Sequence, residues 1–417
     1  SRLAGDAARE LARALPAGGF LVGVSSIFWR EAWKYGERAF RYCQHDAGHV
    51  IATARFAAAA LGWSARLVHG LSDADVGALL GVDRDGDYAA VDALEREHPD
   101  AVLLVGPANA FEQVRALDGS GGALAELVAG GAWSGTANQL SSGHVDWEVI
   151  GLVAEASRKP ATSEPAPAAA VQASRPPGPA SEARAATIIR QRRSAVALDG
   201  TTSMPRDVFY SMLTRVLAGG AAPPFDVLPW APKLHLGIFV HRVDGLRPGL
   251  YLLERCAAVH DAFVAQLGSK ALWKQPEACP EHLRLFCIGE HDYRRTASSV
   301  SCGQEIAADG AFSLGMIAEF RATIEAGAFW YRRLFWEAGV IGQVLYLAAE
   351  AAGLRGTGIG CYFDDLFHEV VGIEGDRFQS LYHFTVGGPL EDGRLVTHPA
   401  YAHLGESRRA KAGPQRG

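Results

Sequence analysis

RRLFWEAGVIGQVLYLAAEAAGLRGTGIG, residues 332–360, is the stretch on which the reading of the fold turns. From Glu337 to Ala352 its only polar side chains are Glu337, Gln343 and Glu350, which the spacing is expected to set along one narrow stripe. The remaining surface is apolar or small, the pattern of a helix buried on most sides at a domain or subunit centre. A shift of 291 positions lays Arg41–Gly81 on Arg332–Gly372 without a gap, with nine identities in forty-one positions, four of them alanine. Identity alone is weak in an alanine-rich chain, but the order of features is stronger. Each copy reads aromatic-rich segment, acid-Ala-Gly, and a helix-length apolar run ending at Gly62 or Gly353. Each then reaches an aspartate, Asp73 or Asp364, and an apolar helix that stops at Gly81 or Gly372. Both continue into a strand-like segment closed by glycine and proline, at 101–107 and 381–389. The chain is read as carrying a duplicated module.

Outward from these copies, residues 160–180 (PATSEPAPAAAVQASRPPGPA) hold six prolines and seven alanines and almost no bulky apolar group. Such a segment cannot bury enough surface to offset its ordering entropy, and its prolines stiffen it into a spacer. The expected organisation is 1–155, the C-terminal part of a first module whose N-terminal half is not present here. A linker at 156–185, a second module at 186–405 and a tail at 406–417 follow. Lys233–His241 and Gly249–Leu253 read as strands joined by a hairpin at Asp244-Gly245, and Leu283–Gly289 as another strand. Strands and helices mix without a βαβ rhythm, so the fold class is α+β.

The 417 residues carry 40 basic and 46 acidic side chains, a net charge of −6. That balance gives no basic field for nucleic acid or an anionic membrane. Hydrophobic residues make up 48%, ordinary globular usage and enough for two domains. No run approaches the roughly 18 apolar residues of a membrane span, and no signal peptide opens the chain. Six cysteines without a CxxC pair read as reduced thiols, and the expected compartment is the cytoplasm.

Several motifs are chemically suggestive and individually ambiguous. His45-Asp-Ala-Gly-His49 places two imidazoles one helical turn apart, as in zinc proteases. The acid is aspartate, Gly48 is expected to interrupt the helix and no third ligand is evident, so a surface or interface histidine pair is the better reading and no metal is assigned. Gly356-Thr-Gly-Ile-Gly360 is either a plain turn or a place where missing side chains let a flat ring approach backbone N–H groups. Arg192-Arg193-Ser194 puts two guanidinium groups and a hydroxyl together, either a phosphate site or a solvated charged face. Arg394 has the same ambiguity. Lys34 beside Tyr35 could lower the phenol's pKa and shuttle a proton, or simply pack past an aromatic cluster. No GxSxG elbow is present.

Together these pieces resemble the nitroreductase superfamily, in its SagB-type branch with tandem modules. The phrases that carry the resemblance are WKYGERAFRYCQHDAGH (33–49) and RRLFWEAGVIGQVLYLAAEAAGLRGTGIG (332–360), supported by 241–253, 306–320 and 381–395. The resemblance implies a nitroreductase-like mixed sheet flanked by helices, two modules packed as a pseudo-dimer, and an FMN-dependent oxidoreductase passing two electrons through flavin N5. It implies that Arg192, Arg193, Ser194 and Arg394 contact phosphate and ribityl, and that Gly358, Ile359 and Gly360 lie over the isoalloxazine. By the same resemblance, Lys34 and Tyr35 match the dyad of azoline dehydrogenases, which act on thiazoline or oxazoline rings of a modified peptide. NAD(P)H as reductant and a small-molecule or peptide substrate are the partners expected, with further homo-oligomerisation open. Pro223–Pro232 replaces the family's Ser/Gly-rich stretch, and the second copy has Glu325-Ala326 in place of Lys34-Tyr35. These departures motivate the alternative of a flavin-free binding or scaffold protein.

Overall fold

The computed structural model describes residues 5–109, 117–162, 183–219 and 222–404. Residues 163–182 and the tail from 405 lie outside the described residues, and with them most of the proline-rich segment and the tail expected from the sequence. In chain order the first part holds α1 (Gly5–Ala14), β1 (Phe20–Ser26), α2 (Trp29–Tyr35), α3 (Ala39–Ala60) and β2 (Trp63–Leu67). It continues with α4 (Asp73–Leu80), β3 (His98–Pro107), α5 (Leu117–Ala129) and α6 (Glu148–Ala156). The second part begins with α7 (Ala185–Gln191), β4 (Met204–Pro205), α8 (Arg206–Arg215), β5 (Leu234–Val240), β6 (Val243–Asp244) and β7 (Gly249–Leu253). Next come α9 (His260–Leu267), β8 (Leu285–Glu290), α10 (Arg294–Val300), α11 (Ile306–Asp309), β9 (Phe312–Glu319) and α12 (Arg321–Glu325). The part closes with α13 (Trp330–Ala351), β10 (Arg355–Ile359), α14 (Asp364–Val371) and β11 (Phe378–Gly387).

Offset by 291, α3 coincides end to end with α13, and α4 with α14. Both short helices stop at a left-handed glycine, Gly81 at φ 75° and Gly372 at φ 90°, the conformation that glycine adopts without a Cβ penalty. The first sheet runs β1-β3-β2, and the second, six-stranded sheet contains the matching order β9-β11-β10 within β10-β11-β9-β5-β7-β8. All of these pairings are antiparallel. Strand β5 is buried at every residue because both of its faces are covered. Leu234, Leu236, Ile238 and Val240 face the cluster that includes α13, while Phe239 faces the cluster under α9 and α14.

The two long helices cross at the matched glycines. A Cβ added at Gly48 would overlap the Trp336 carbonyl and lie 2.9 Å from Gly339 Cα. One added at Gly339 would overlap the His45 carbonyl and lie 2.8 Å from Gly48 Cα. His45 and Trp336 are themselves matched positions, so each helix meets its counterpart through equivalent atoms, the pattern of an isologous contact. The ion pairs repeat it: Arg332 binds Asp73, and Arg41 lies 3.7 Å from Asp364.

Two expectations are corrected here. Gly48 does not interrupt α3, which continues unbroken, but lets the two backbones approach. Glu337, Gln343 and Glu350 do not form one stripe, because six residues of helix turn Gln343 about 240° from Glu337. Glu337 accepts the N–H groups of Lys233 and Leu234 and binds Arg255, whereas Gln343 faces His49 of α3. Pro223–Pro232 acts as a clasp between the two parts. Its Asp226 takes Nε and Nη2 of Arg55 at 2.9 and 2.7 Å, and Phe225 and Val227 are buried. No helix among the described residues is long and apolar enough to cross a membrane.

Candidate functional site

Gly356–Gly360 is not a turn. Most of it is β10, at the edge of the six-stranded sheet, and its glycines answer to the rings packed on them. A Cβ at Gly356 would lie 2.6 Å from Phe384, one at Gly358 would overlap the Tyr382 hydroxyl, and one at Gly360 would overlap Tyr42 of α3. The sequence allowed a flat ring to reach this backbone, and on the strand's face the rings that do so are the protein's own. Tyr382 is 7% exposed and stacks on His45 at 4.1 Å, so that face is closed.

The open edge is different. Gly358 N donates to the Tyr346 hydroxyl at 3.0 Å, and Ser194 Oγ lies 3.0 Å from the same hydroxyl. The Arg192 guanidinium sits over the Tyr346 ring at 4.9 Å. Arg193 follows, bonding the carbonyls of Arg192 and His398 at 2.8 and 3.4 Å. Ala195 N then donates to Gly356 O, which seats this segment along β10. Three sequence-predicted residues, Arg192, Ser194 and Gly358, therefore meet around one phenol, with Arg193 adjoining. Neither Arg192 nor Arg193 pairs with a carboxylate among the described residues. Ile359 is buried with the cluster under α14, away from this edge. Arg394 is exposed and binds its neighbour Asp392 at 2.8 Å, and no described contact joins it to Arg192 or Arg193.

Helix α3 supplies the opposite wall. His49 Nδ1 meets Gln343 Oε1 at 3.0 Å, and its Nε2 meets the Tyr382 hydroxyl at 3.3 Å. His45 Nε2 meets the Leu381 carbonyl at 3.0 Å. The two histidines share a helix face as the spacing predicts, but each is engaged by the second part of the chain. Among the described residues no group of three metal-ligating side chains forms. Burial holds His49 down to about 4; the Gln343 bond opposes this and the Arg192 charge adds to it. Burial likewise holds His45 down to about 3.

Lys34 and Tyr35 lie at the far end of the same interface. The Lys34 ammonium sits 4.9 Å above the Tyr35 ring, and Tyr35 meets Tyr42 edge-on at 4.9 Å. Tyr42 bonds Arg38, and burial raises its pKa against that bond. Arg38 in turn donates to Cys361 Sγ at 3.1 Å. A cavity of about 290 Å³ opens here, lined by Arg38, Phe40, Arg41, Gly360, Tyr362 and Asp364. Tyr42, Tyr346 and Tyr382 were not singled out from the sequence. The signal available was spacing: Tyr346 lies one helical turn beyond Gly342 and so faces the strand that follows the helix.

This geometry allows a test of fit for a flavin mononucleotide. The donors suit it along the β10 edge: two guanidinium groups without carboxylates and a hydroxyl for the phosphate end, and the Gly358 N–H for a polar rim. The half-buried Tyr346 engages Arg192, Ser194 and Gly358 N, while Arg193 is held by backbone carbonyls. The strand's face does not suit it, because the buried Tyr382 fills that space.

No family model matches the chain, and no curated protein matches it. Among solved structures, one described as a nitroreductase from Anabaena variabilis superposes with a TM-score of 0.61 and 22% identity. That match covers 89% of this chain and 69% of the other. A protein described as a nitroreductase from Ralstonia eutropha matches with a TM-score of 0.34 and 15% identity, over 52% of this chain and 89% of its own. An NADPH:FMN oxidoreductase from Vibrio harveyi, complexed with NAD+, matches with a TM-score of 0.31 and 13% identity, over 53% and 76%. The first of these shows the fold: a nitroreductase-like α+β architecture.

Proposed function

We propose that this chain is an FMN-dependent oxidoreductase whose two modules pack as a pseudo-dimer, with the flavin along the edge of β10 between α13 and α3. One observation carries the reading. Arg192 and Ser194 are brought to the N–H of Gly358, more than 160 positions away, through a single displaceable phenol. FMN, when bound, supplies two-electron transfer. The chain's own residues do the rest. Arg192 and Arg193 neutralise the phosphate, Ser194 bonds it or the ribityl, and Gly358 N–H holds the ring's polar rim. Tyr382, His45 and His49 keep water from the strand's face. The test is the visible spectrum of the chain after incubation with FMN and desalting. A retained flavin band supports the reading, and its absence returns the chain to the flavin-free binding protein that the filled strand face favours.

A finer reading places azoline oxidation of a modified peptide at the Lys34 end. It rests on the line Lys34–Tyr35–Tyr42–Gly360, which links the dyad to the strand carrying the flavin donors. Both side chains are exposed, as a pair that handles a substrate proton must be. Lys34→Ala is expected to abolish turnover of a thiazoline peptide with flavin still bound. Unchanged turnover would remove the pair from the reaction.

A further inference from the structure

Beyond the last glycine of the β10 motif lies Cys361, and facing it is Cys302, 59 positions earlier in the chain. Two ties hold their segments side by side. Phe363 N donates to Val300 O at 2.8 Å, and Gln304 Nε2 donates to both Ser301 O at 2.7 Å and Cys361 O at 3.0 Å. These ties bring the backbone of Cys302 alongside that of Cys361. Cys302 takes a left-handed backbone, φ 58°, uncommon for a residue with a Cβ. Both thiols are half-buried and unbridged, whereas Cys43 and Cys287 are buried. Arg38, from the other module, donates to Cys361 Sγ at 3.1 Å.

We propose that Cys302 and Cys361 are a redox-active dithiol that exchanges with small-molecule disulfides, Cys361 attacking first and Cys302 resolving. The contact geometry sets the order, because the Arg38 guanidinium neutralises negative charge on Cys361 sulfur. The Cys361 thiolate attacks one sulfur of the small disulfide, forming a mixed disulfide and expelling one thiolate, which takes up the proton that Cys361 lost. Cys302 then gives up its proton and attacks Cys361 Sγ, forming the Cys302–Cys361 bond and expelling the second small thiol. Two protein thiols are oxidised and one disulfide is reduced to two thiols, so electrons and protons balance. Burial, then the nearby Cys361 thiol, hold the Cys302 thiol up at about 11, with Arg38 opposing, which suits a resolving thiol activated only after the first step. Closing the bond ends the thiol contact by which Arg38 joins the two modules. The exchange uses none of the flavin donors and does not depend on them.

The test treats the full chain with oxidised glutathione and maps cysteine-containing peptides without reduction. The expected result is a Cys302–Cys361 cross-link, a loss of two free thiols, and their return with dithiothreitol. Cys302→Ser should stop at a glutathione adduct on Cys361. Arg38→Met should slow adduct formation about tenfold, the worth of one charge-assisted hydrogen bond, and Arg38→Lys should restore much of the rate. Separate adducts on both cysteines with no cross-link, a cross-link to a different cysteine, or unchanged thiols would overturn the proposal. So would a Cys361→Ser variant in which Cys302 is modified at the wild-type rate.

Discussion

At the scale of single residues, the arginine pair is the most exposed part of the account. Two adjacent guanidinium groups without a carboxylate repel one another, and an anionic ligand relieves that repulsion. Arg192→Ala together with Arg193→Ala is therefore expected to weaken FMN binding by about 100-fold or more, from two charge-assisted bonds of about 1.5–3 kcal/mol each. Flavin fluorescence quenching measures it, with far-ultraviolet dichroism as the check on folding. Equal affinity in the variant would place the phosphate elsewhere. The Arg-Arg-Ser motif could be picked out in the sequence, but residue types alone left it open between a phosphate site and a solvated charged face. Tyr346 and Tyr382 could not, since whether a tyrosine fills a cofactor's place or lines it depends on the strand opposite. Arg394 shows the converse: its chemistry was readable, but Asp392 two residues earlier takes it.

Among elements, α3 and α13 decide the assembly. Their correspondence was readable from the 291-residue offset, because order and glycine spacing survive when identity does not. Their crossing point was not, because a mid-helix glycine reads as a weakness until a partner backbone lies against it. Gly48→Ala or Gly339→Ala should force the helices apart and cost about 1–3 kcal/mol each, although alanine is the better helix former. Chemical denaturation measures the loss. A stabilised variant would mean that the helices do not cross at these glycines. That β10 is a strand was not read for a related reason: a glycine-rich run shows no strand pattern unless its partner β11, twenty residues later, is considered with it.

For the whole molecule, burial of neutral histidines sets the acid limit of stability. Burial holds His45 to about 3 and His49 to about 4, and holds His98 to about 4 with Arg332, Arg96 and Arg158 adding to it. Their folded values lie below the ordinary 6.5, so between about pH 6.5 and 4 the unfolded chain binds more protons and stability falls as pH falls. His45 contributes on the order of 5 kcal/mol at most, and His49 and His98 on the order of 3 kcal/mol each. Asp46 opposes this: burial, then Glu31, raise it to about 6, so its contribution grows on acidification over part of the same range. Three histidines outweigh one aspartate, and the melting temperature is expected to drop steadily from pH 6.5 to 4.5. A flat profile over that window would mean that these rings are not buried as described.

Whether the chain holds a flavin at the β10 edge is decided by a calorimetric titration with FMN. The sequence holds one Arg-Arg-Ser motif, and saturable binding of one FMN per chain at that site is expected. No saturable heat, together with a colourless protein after desalting, would contradict it and leave Tyr346 and Tyr382 as the permanent occupants of the β10 edge and face.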